Sequence, residues 1–153
     1  MSDELKSIYR AKGLAHQFWD DETPVDLWRL QKKTDFDKNT MLFHPHPGSE
    51  ERLPDVRVVE RDGRLVVLGC RCTDGAFRGI STFDCRVTWF GSKTAKHFVL
   101  PAGTPIPAGL AVTKDYRTPH GAHHYTIAPK DDMPLELFLQ HLRTLALLAT
   151  LKT

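Results

Sequence analysis

The stretch "VRVVERDGRLVVLGCRC", residues 56–72, constrains the fold more than any other. Two runs rich in β-branched residues meet at Asp62-Gly63, a dipeptide that favours a tight turn between antiparallel strands, so the stretch predicts a β-hairpin. "GISTFD", "RVTWF", "KHFVL", "LAVTKD" and "HHYTIAP" follow as further short strands, most of them separated by turn residues such as "PAGTPIPAG" at 101–109. Earlier, "VDLWRL" at 25–30 places Val25, Leu27 and Arg29 on one face of a strand and Asp26, Trp28 and Leu30 on the other. Residues 32–55 lack periodicity and predict a long loop, of the kind that is often functional or mobile.

Helices are expected at both ends. "DELKSIYRAKGLAHQFW" has apolar residues at Leu5, Ile8, Leu14, Ala15 and Phe18 with Gly13 between them, a spacing for one helix or two short ones. At the other end Pro134 marks a first turn and Glu136 suits the positive helix terminus. Leu135, Phe138, Leu139, Leu142, Leu145, Ala146 and Ala149 then form an apolar stripe. Strands in the middle and helices at the ends predict an α+β domain with a largely antiparallel sheet. At 153 residues, the chain is expected to be a single domain, 1–153.

Composition narrows the function classes. Hydrophobic residues make up 41% and charged residues 26%, as in folded globular proteins. A net charge of +2, with its basic residues scattered, does not indicate nucleic acid or an anionic membrane as a partner. "TLALLATL" at 144–151 is too short to span a bilayer. "MSDELKSIYR" has neither a basic n-region nor an apolar h-region, so no cleaved secretory signal is expected. Three cysteines, with Cys70 and Cys72 on one strand face and Cys85 beyond, fit reduced thiols better than a disulfide framework.

The candidate chemical groups begin with "HGAHHYTIAP" at 120–129. His123 and His124 are neighbours on a strand and face opposite sides, so the cluster cannot ligate one ion, and no metal is expected. Ser81 in "GISTFD" is not a serine elbow, because Phe83 stands where the second glycine of G-x-S-x-G belongs. Arg29, flanked by apolar residues, is costly to bury without an anionic partner. It serves as a structural ion pair, as an edge-strand arginine pointing to water, or as a rigid phosphate clamp.

"VDLWRL", "RLPD", "GISTFD", "HFVLPAGTPIPAGLAVTKD" and "HHYTIAPKDDMPLELFLQHL" together resemble the Tse2 family of bacterial toxins. Those are type VI secretion effectors with an ADP-ribosyltransferase-like fold, and the resemblance covers about 25–153. It implies a mostly antiparallel split β-sheet core with flanking N- and C-terminal helices. It also implies that NAD is the substrate and that Arg29, Ser81 and His124 are catalytic. NAD-binding positions carried over are Arg29, Arg52, Ser81, Thr82, His124 and Tyr125. A cognate immunity protein, delivery by a type VI secretion machine and action in the target-cell cytoplasm are implied too. One departure is visible in the residues: no glutamate falls on a well-placed strand, since Glu60 is in the hairpin, Glu50 and Glu51 in the long loop, and Glu136 at the helix. A ribonuclease-like toxin using His124 and Arg29, and a non-enzymatic binding domain on the same fold, stand as alternatives.

Overall fold

Alternating apolar and polar positions in short runs pair most readily as antiparallel strands, and that is how this chain folds. The computed structural model describes residues 18–32, 41–51, 53–69, 79–87 and 95–152. Seven strands form the main sheet: β1 (Phe18–Trp19), β2 (Leu27–Gln31), β5 (Ile80–Phe83), β6 (Lys96–Leu100), β7 (Leu110–Arg117), β8 (His123–Pro129) and β10 (Thr150–Lys152). Their order is β1-β7-β8-β5-β2-β6-β10, and each pairing is antiparallel. A second sheet, ordered β3-β4-β9, consists of the predicted hairpin, β3 (Val58–Arg61) and β4 (Arg64–Val67), plus β9 (Met133–Pro134). Asp62 and Gly63 both have positive φ, 52° and 76°, which is the turn geometry that the Asp-Gly pair favours. Helix α1 (Leu135–Leu148) packs against β4, β6 and β9.

Register decides which residues become core. Ile80 pairs with Ile127, Thr82 with Tyr125, Val112 with Ile127 and Leu27 with Leu100. Residues opposite one another share a face, so these side chains line one side of the main sheet. They are buried, and with Phe138, Leu142 and Leu145 of α1 and Phe43 of the long loop they make one hydrophobic core. A shift of one residue reaches the other face, where Ser81, Phe83, His124, Thr126, Thr113 and Trp28 are aligned by the same pairings.

Three expectations change. Phe18 and Trp19 do not end a helix but form β1, paired with Thr113 and Val112 of β7. Residues 1–17, where the N-terminal helix was expected, lie outside the described residues. The chain does not finish in α1: Ala149 turns extended, and Thr150–Lys152 add an edge strand to β6 through Thr150↔Val99 and its neighbours. Pro134 is the residue before the first helical turn rather than within it; it cannot donate to the sheet, and it sits in β9 where the helix begins. Cys70, Cys72, Trp89 and most of "RVTWF" lie outside the described residues, whereas Cys85 is exposed.

Glycine 79 shows how closely the strands approach. A Cβ added there would lie 2.2 Å from the Ile127 carbonyl oxygen on β8. The glycine of "GISTFD" thus serves strand contact and not a nucleophile elbow.

One pH effect follows from burial. His97, on β6, has its pKa lowered from 6.5 by desolvation, with the Arg86 charge adding to it. The unfolded imidazole therefore takes up a proton at a pH where the folded one resists it. Stability that is present above about 6.5 is lost as pH falls through the lower, folded value. We expect thermal unfolding scans from pH 7.5 to 5 to show a falling midpoint, and His97→Gln to flatten that slope.

Candidate functional site

The site lies where β2 and β5 part. These strands meet at a single pair, Trp28↔Phe83, whereas β2 pairs with β6 along its whole length. A strand that loses its neighbour leaves backbone carbonyls in need of donors. Arg29 supplies them: Nη1 donates to the Ser81 carbonyl at 2.8 Å, and Nε donates to the Leu42 carbonyl at 3.1 Å. The guanidinium so joins β2, β5 and the long loop, and keeps a charged group where it is only partly buried.

A cleft of about 550 Å³ opens at this junction, with Trp28, Arg29, Ser81, Phe83, Tyr116 and His124 among its walls. That volume suits a small-molecule ligand; such sites commonly span about 300–1,000 Å³. Met41, Leu42, His44, Pro45, His46 and Pro47 of the long loop line the cleft too. Phe43 is fully buried and anchors this segment, while hydrogen bonds between His46 and Asp55 tie the loop to itself: Asp55 N donates to the His46 carbonyl at 3.0 Å, and His46 N donates to Asp55 Oδ2 at 2.8 Å. Gly48 N adds a bond to His46 Nδ1 at 2.9 Å. The described part of the predicted loop around His46 and Asp55 is therefore a fastened cleft wall.

His124 is held on every side. Its Nε2 lies 3.0 Å from Ser81 Oγ and its Nδ1 lies 2.7 Å from Asp115 Oδ2. Tyr116 stacks on the imidazole, with centroids 4.8 Å apart and planes 6° from parallel, and Phe83 meets it edge-on at 5.3 Å. The side chains of His124 and Asp115 are each only 12% exposed. Asp115 accepts two further bonds, from Thr113 Oγ1 at 2.7 Å and from Thr126 Oγ1. With three donors on it the carboxylate has no freedom to swing away from the ring.

A bulge makes this convergence possible. On a regular strand Asp115 and Tyr116 would point to opposite faces. Between the pairs Lys114↔Tyr125 and Arg117↔His123, however, β7 spends one residue more than β8. The extra residue re-aims the strand, so the Asp115 carboxylate and the Tyr116 ring both reach His124.

Of the expected positions, Arg29, Ser81 and His124 come together on this cleft. Thr82 and Tyr125 do not line it. Each is one residue away from a cleft residue and so turns to the core face, where they are 0% and 3% exposed. Thr82 Oγ1 donates to the Tyr125 carbonyl at 3.1 Å, and Tyr125 packs beside Trp19. Burial, with Asp84 nearby, pushes the Tyr125 phenol above its ordinary pKa. Arg52 lies outside the described residues. His123 is turned away from His124 and pairs with Asp84 at 3.3 Å, and His120 is exposed in a turn. No group of three or more His, Cys, Asp or Glu suited to a metal occurs among the described residues.

Sequence reasoning missed Asp115 and Tyr116. The alternation in "LAVTKDY" does put Thr113 and Asp115 on one face. Knowing that this face meets His124 requires the β7–β8 register, and Tyr116 requires the bulge as well.

A family model described as "Tse2 ADP-ribosyltransferase toxin" matches residues 6–152. No curated protein matches the chain. With nearly the whole chain matched, and with its antiparallel sheets and C-terminal helix, the protein belongs to the Tse2 ADP-ribosyltransferase toxin family.

Proposed function

We propose that the protein is an antibacterial effector that binds NAD in the β2–β5 cleft and transfers ADP-ribose to a target in the cytoplasm of the attacked cell. Family membership implies NAD as the substrate. The observation that carries the assignment to this cleft is the meeting of Arg29, Ser81 and His124 on its walls. Departure of nicotinamide builds positive charge on the ribose, and a site for that reaction gains from aromatic faces and from fixed polar groups. Trp28, Phe83 and Tyr116 offer the faces, while the Ser81–His124 pair offers the polar groups. Arg29 gives the cleft a positive charge for the pyrophosphate and, through the Ser81 carbonyl, holds the strand beneath it.

Delivery by a type VI secretion machine and neutralisation by an immunity protein that covers the cleft complete the reading. Induced expression in a bacterial cytosol is expected to stop growth, whereas Arg29→Ala, shown to be folded by circular dichroism, is expected to be tolerated. Equal growth of the two strains would count against the proposal. Degradation of total RNA by the purified protein without NAD would instead favour a ribonuclease-like toxin.

A further inference from the structure

We propose that His46, on the long-loop wall of the cleft, is a substrate-binding residue whose Nε2–H donates to a pyrophosphate oxygen of the bound dinucleotide. The inference rests on the NAD reading above and adds a binding residue to it.

The turn beside His46 decides where its proton sits. Gly48 N donates to His46 Nδ1 at 2.9 Å, so Nδ1 presents its lone pair and the proton of the neutral ring is on Nε2. Nε2 has no partner among the described residues, and although the residue is half-buried in the cleft wall, that atom is not sealed from solvent. His124, by contrast, has both ring nitrogens engaged, by Asp115 and by Ser81. Bracing the turn does not require a histidine. A shorter asparagine or serine side chain accepts equally well from the N–H two residues on. The imidazole does the same and carries a donor on its far side.

The donor is in place before a ligand arrives. His46 N and the His46 carbonyl both pair with Asp55, at 2.8 and 3.0 Å. Gly48 has a φ of 91°, and a Cβ there would lie 3.0 Å from Pro54 Cδ, so the turn that closes on Nδ1 depends on this glycine. A group held in this way loses little conformational freedom on binding.

Charge selects an anion for that donor. Arg29 and Lys32 stand against one carboxylate, Asp55, on the described walls of the cleft, and Asp55 Oδ2 itself accepts from His46 N. Arg29 Nε and Nη1 are turned onto the carbonyls of Leu42 and Ser81, so the guanidinium lends charge while two of its donors serve the backbone. An anion beside it gains from a further N–H donor. Leu42 and His46 belong to one short segment of the loop and line the same cleft, which sets charge and donor on one wall. In NAD the pyrophosphate is the anionic group, whereas the nicotinamide ring is cationic and the adenine and riboses are neutral.

The test reads the contact on the unaltered protein. Labelled with nitrogen-15 histidine, it is titrated with a carbocyclic NAD analogue, which keeps the pyrophosphate but lacks the ring oxygen that supports departure of nicotinamide. The His46 signals, assigned by their loss in His46→Asn, are expected to show Nδ1 bare and Nε2 protonated, and Nε2 is expected to shift as the analogue binds. Two variants then separate donor from brace. His46→Asn keeps an acceptor for Gly48 N and removes the distal N–H, whereas His46→Gln keeps a distal N–H and removes that acceptor. The Kd of the analogue is expected to rise about 10-fold or more in His46→Asn, and by less in His46→Gln. A rise in His46→Gln that equals or exceeds the rise in His46→Asn, a ring proton on Nδ1, or a bound analogue that leaves Nε2 unmoved overturns this inference and leaves the NAD reading standing. So does failure of the analogue to bind while nicotinamide is still released from NAD. Absence of both binding and release overturns the two together.

Discussion

His124→Ala is expected to lower nicotinamide release from NAD by about 10²–10⁴-fold, the range that a positioned acid–base group contributes. The fold should survive. Asp115 keeps its bonds from Thr113 and Thr126, so no carboxylate is left buried without donors, and the loss is two hydrogen bonds, to Asp115 and to Ser81, and two ring contacts. That amounts to about 1–3 kcal/mol of stability, set against about 3–5 kcal/mol of transition-state energy for a rate effect in that range. The comparison identifies the informative variant. Asp115→Ala would leave Thr113, Thr126 and His124 Nδ1 without their acceptor, at about 1–3 kcal/mol for each buried donor, and would confound activity with unfolding. Kinetics of His124→Ala beside a thermal melt separate the two effects.

Gly79→Ala should be the most damaging small substitution. The new methyl would lie 2.2 Å from the Ile127 carbonyl oxygen and 2.7 Å from Thr126 Cγ2, both on β8, and neither is the loose end of a flexible side chain. To make room β5 must move away from β8, and overpacking of this kind costs about 1–3 kcal/mol. For a chain of this size that is roughly a 3–10 °C drop in Tm. The displacement also acts on function, because Ser81 is two residues along β5 and must stay 3.0 Å from His124 on β8. A misplacement of about 1 Å can cost on the order of 10²-fold in rate. Activity measured well below the melting temperature should therefore fall with the protein still folded, and an unaltered rate there would show that β5 does not set the Ser81–His124 distance.

The parts of this molecule that were legible in its sequence are those fixed by local rules. Asp62-Gly63 marks the hairpin because few dipeptides tolerate two successive positive φ angles. The stripe from Leu135 to Ala146 marks α1 because its spacing fits only a helix, and Phe138, Leu142 and Leu145 are indeed its buried members. His123 and His124 are separable because adjacent strand residues face apart. The same alternation separates Tyr125 from His124 and Thr82 from Ser81, which is why both belong to the core and not to the cleft.

What could not be read depended on partners distant in the chain. Trp28, Arg29 and Leu30 all reach the cleft, although strand alternation divides them, because β2 is paired with β5 at one position only and opens beside it. The acid beside His124 is an aspartate on β7, brought there by a bulge that has no marker in "TKDYR". Thr150–Lys152 continue an apolar run that helical periodicity also accommodates, and the choice of strand is made by the edge of β6.

The central claim is that one cleft, walled by Arg29, Ser81 and His124, binds NAD and breaks its glycosidic bond. Incubation of the purified protein with NAD labelled in the adenine ring, in a bacterial lysate, tests it most directly when nicotinamide release and label transfer are followed together. The expected result is equal release and incorporation or hydrolysis with the unaltered protein, and near-complete loss of both with His124→Ala. Label transfer that persists in folded His124→Ala, or no NAD turnover by the unaltered protein, would contradict the account.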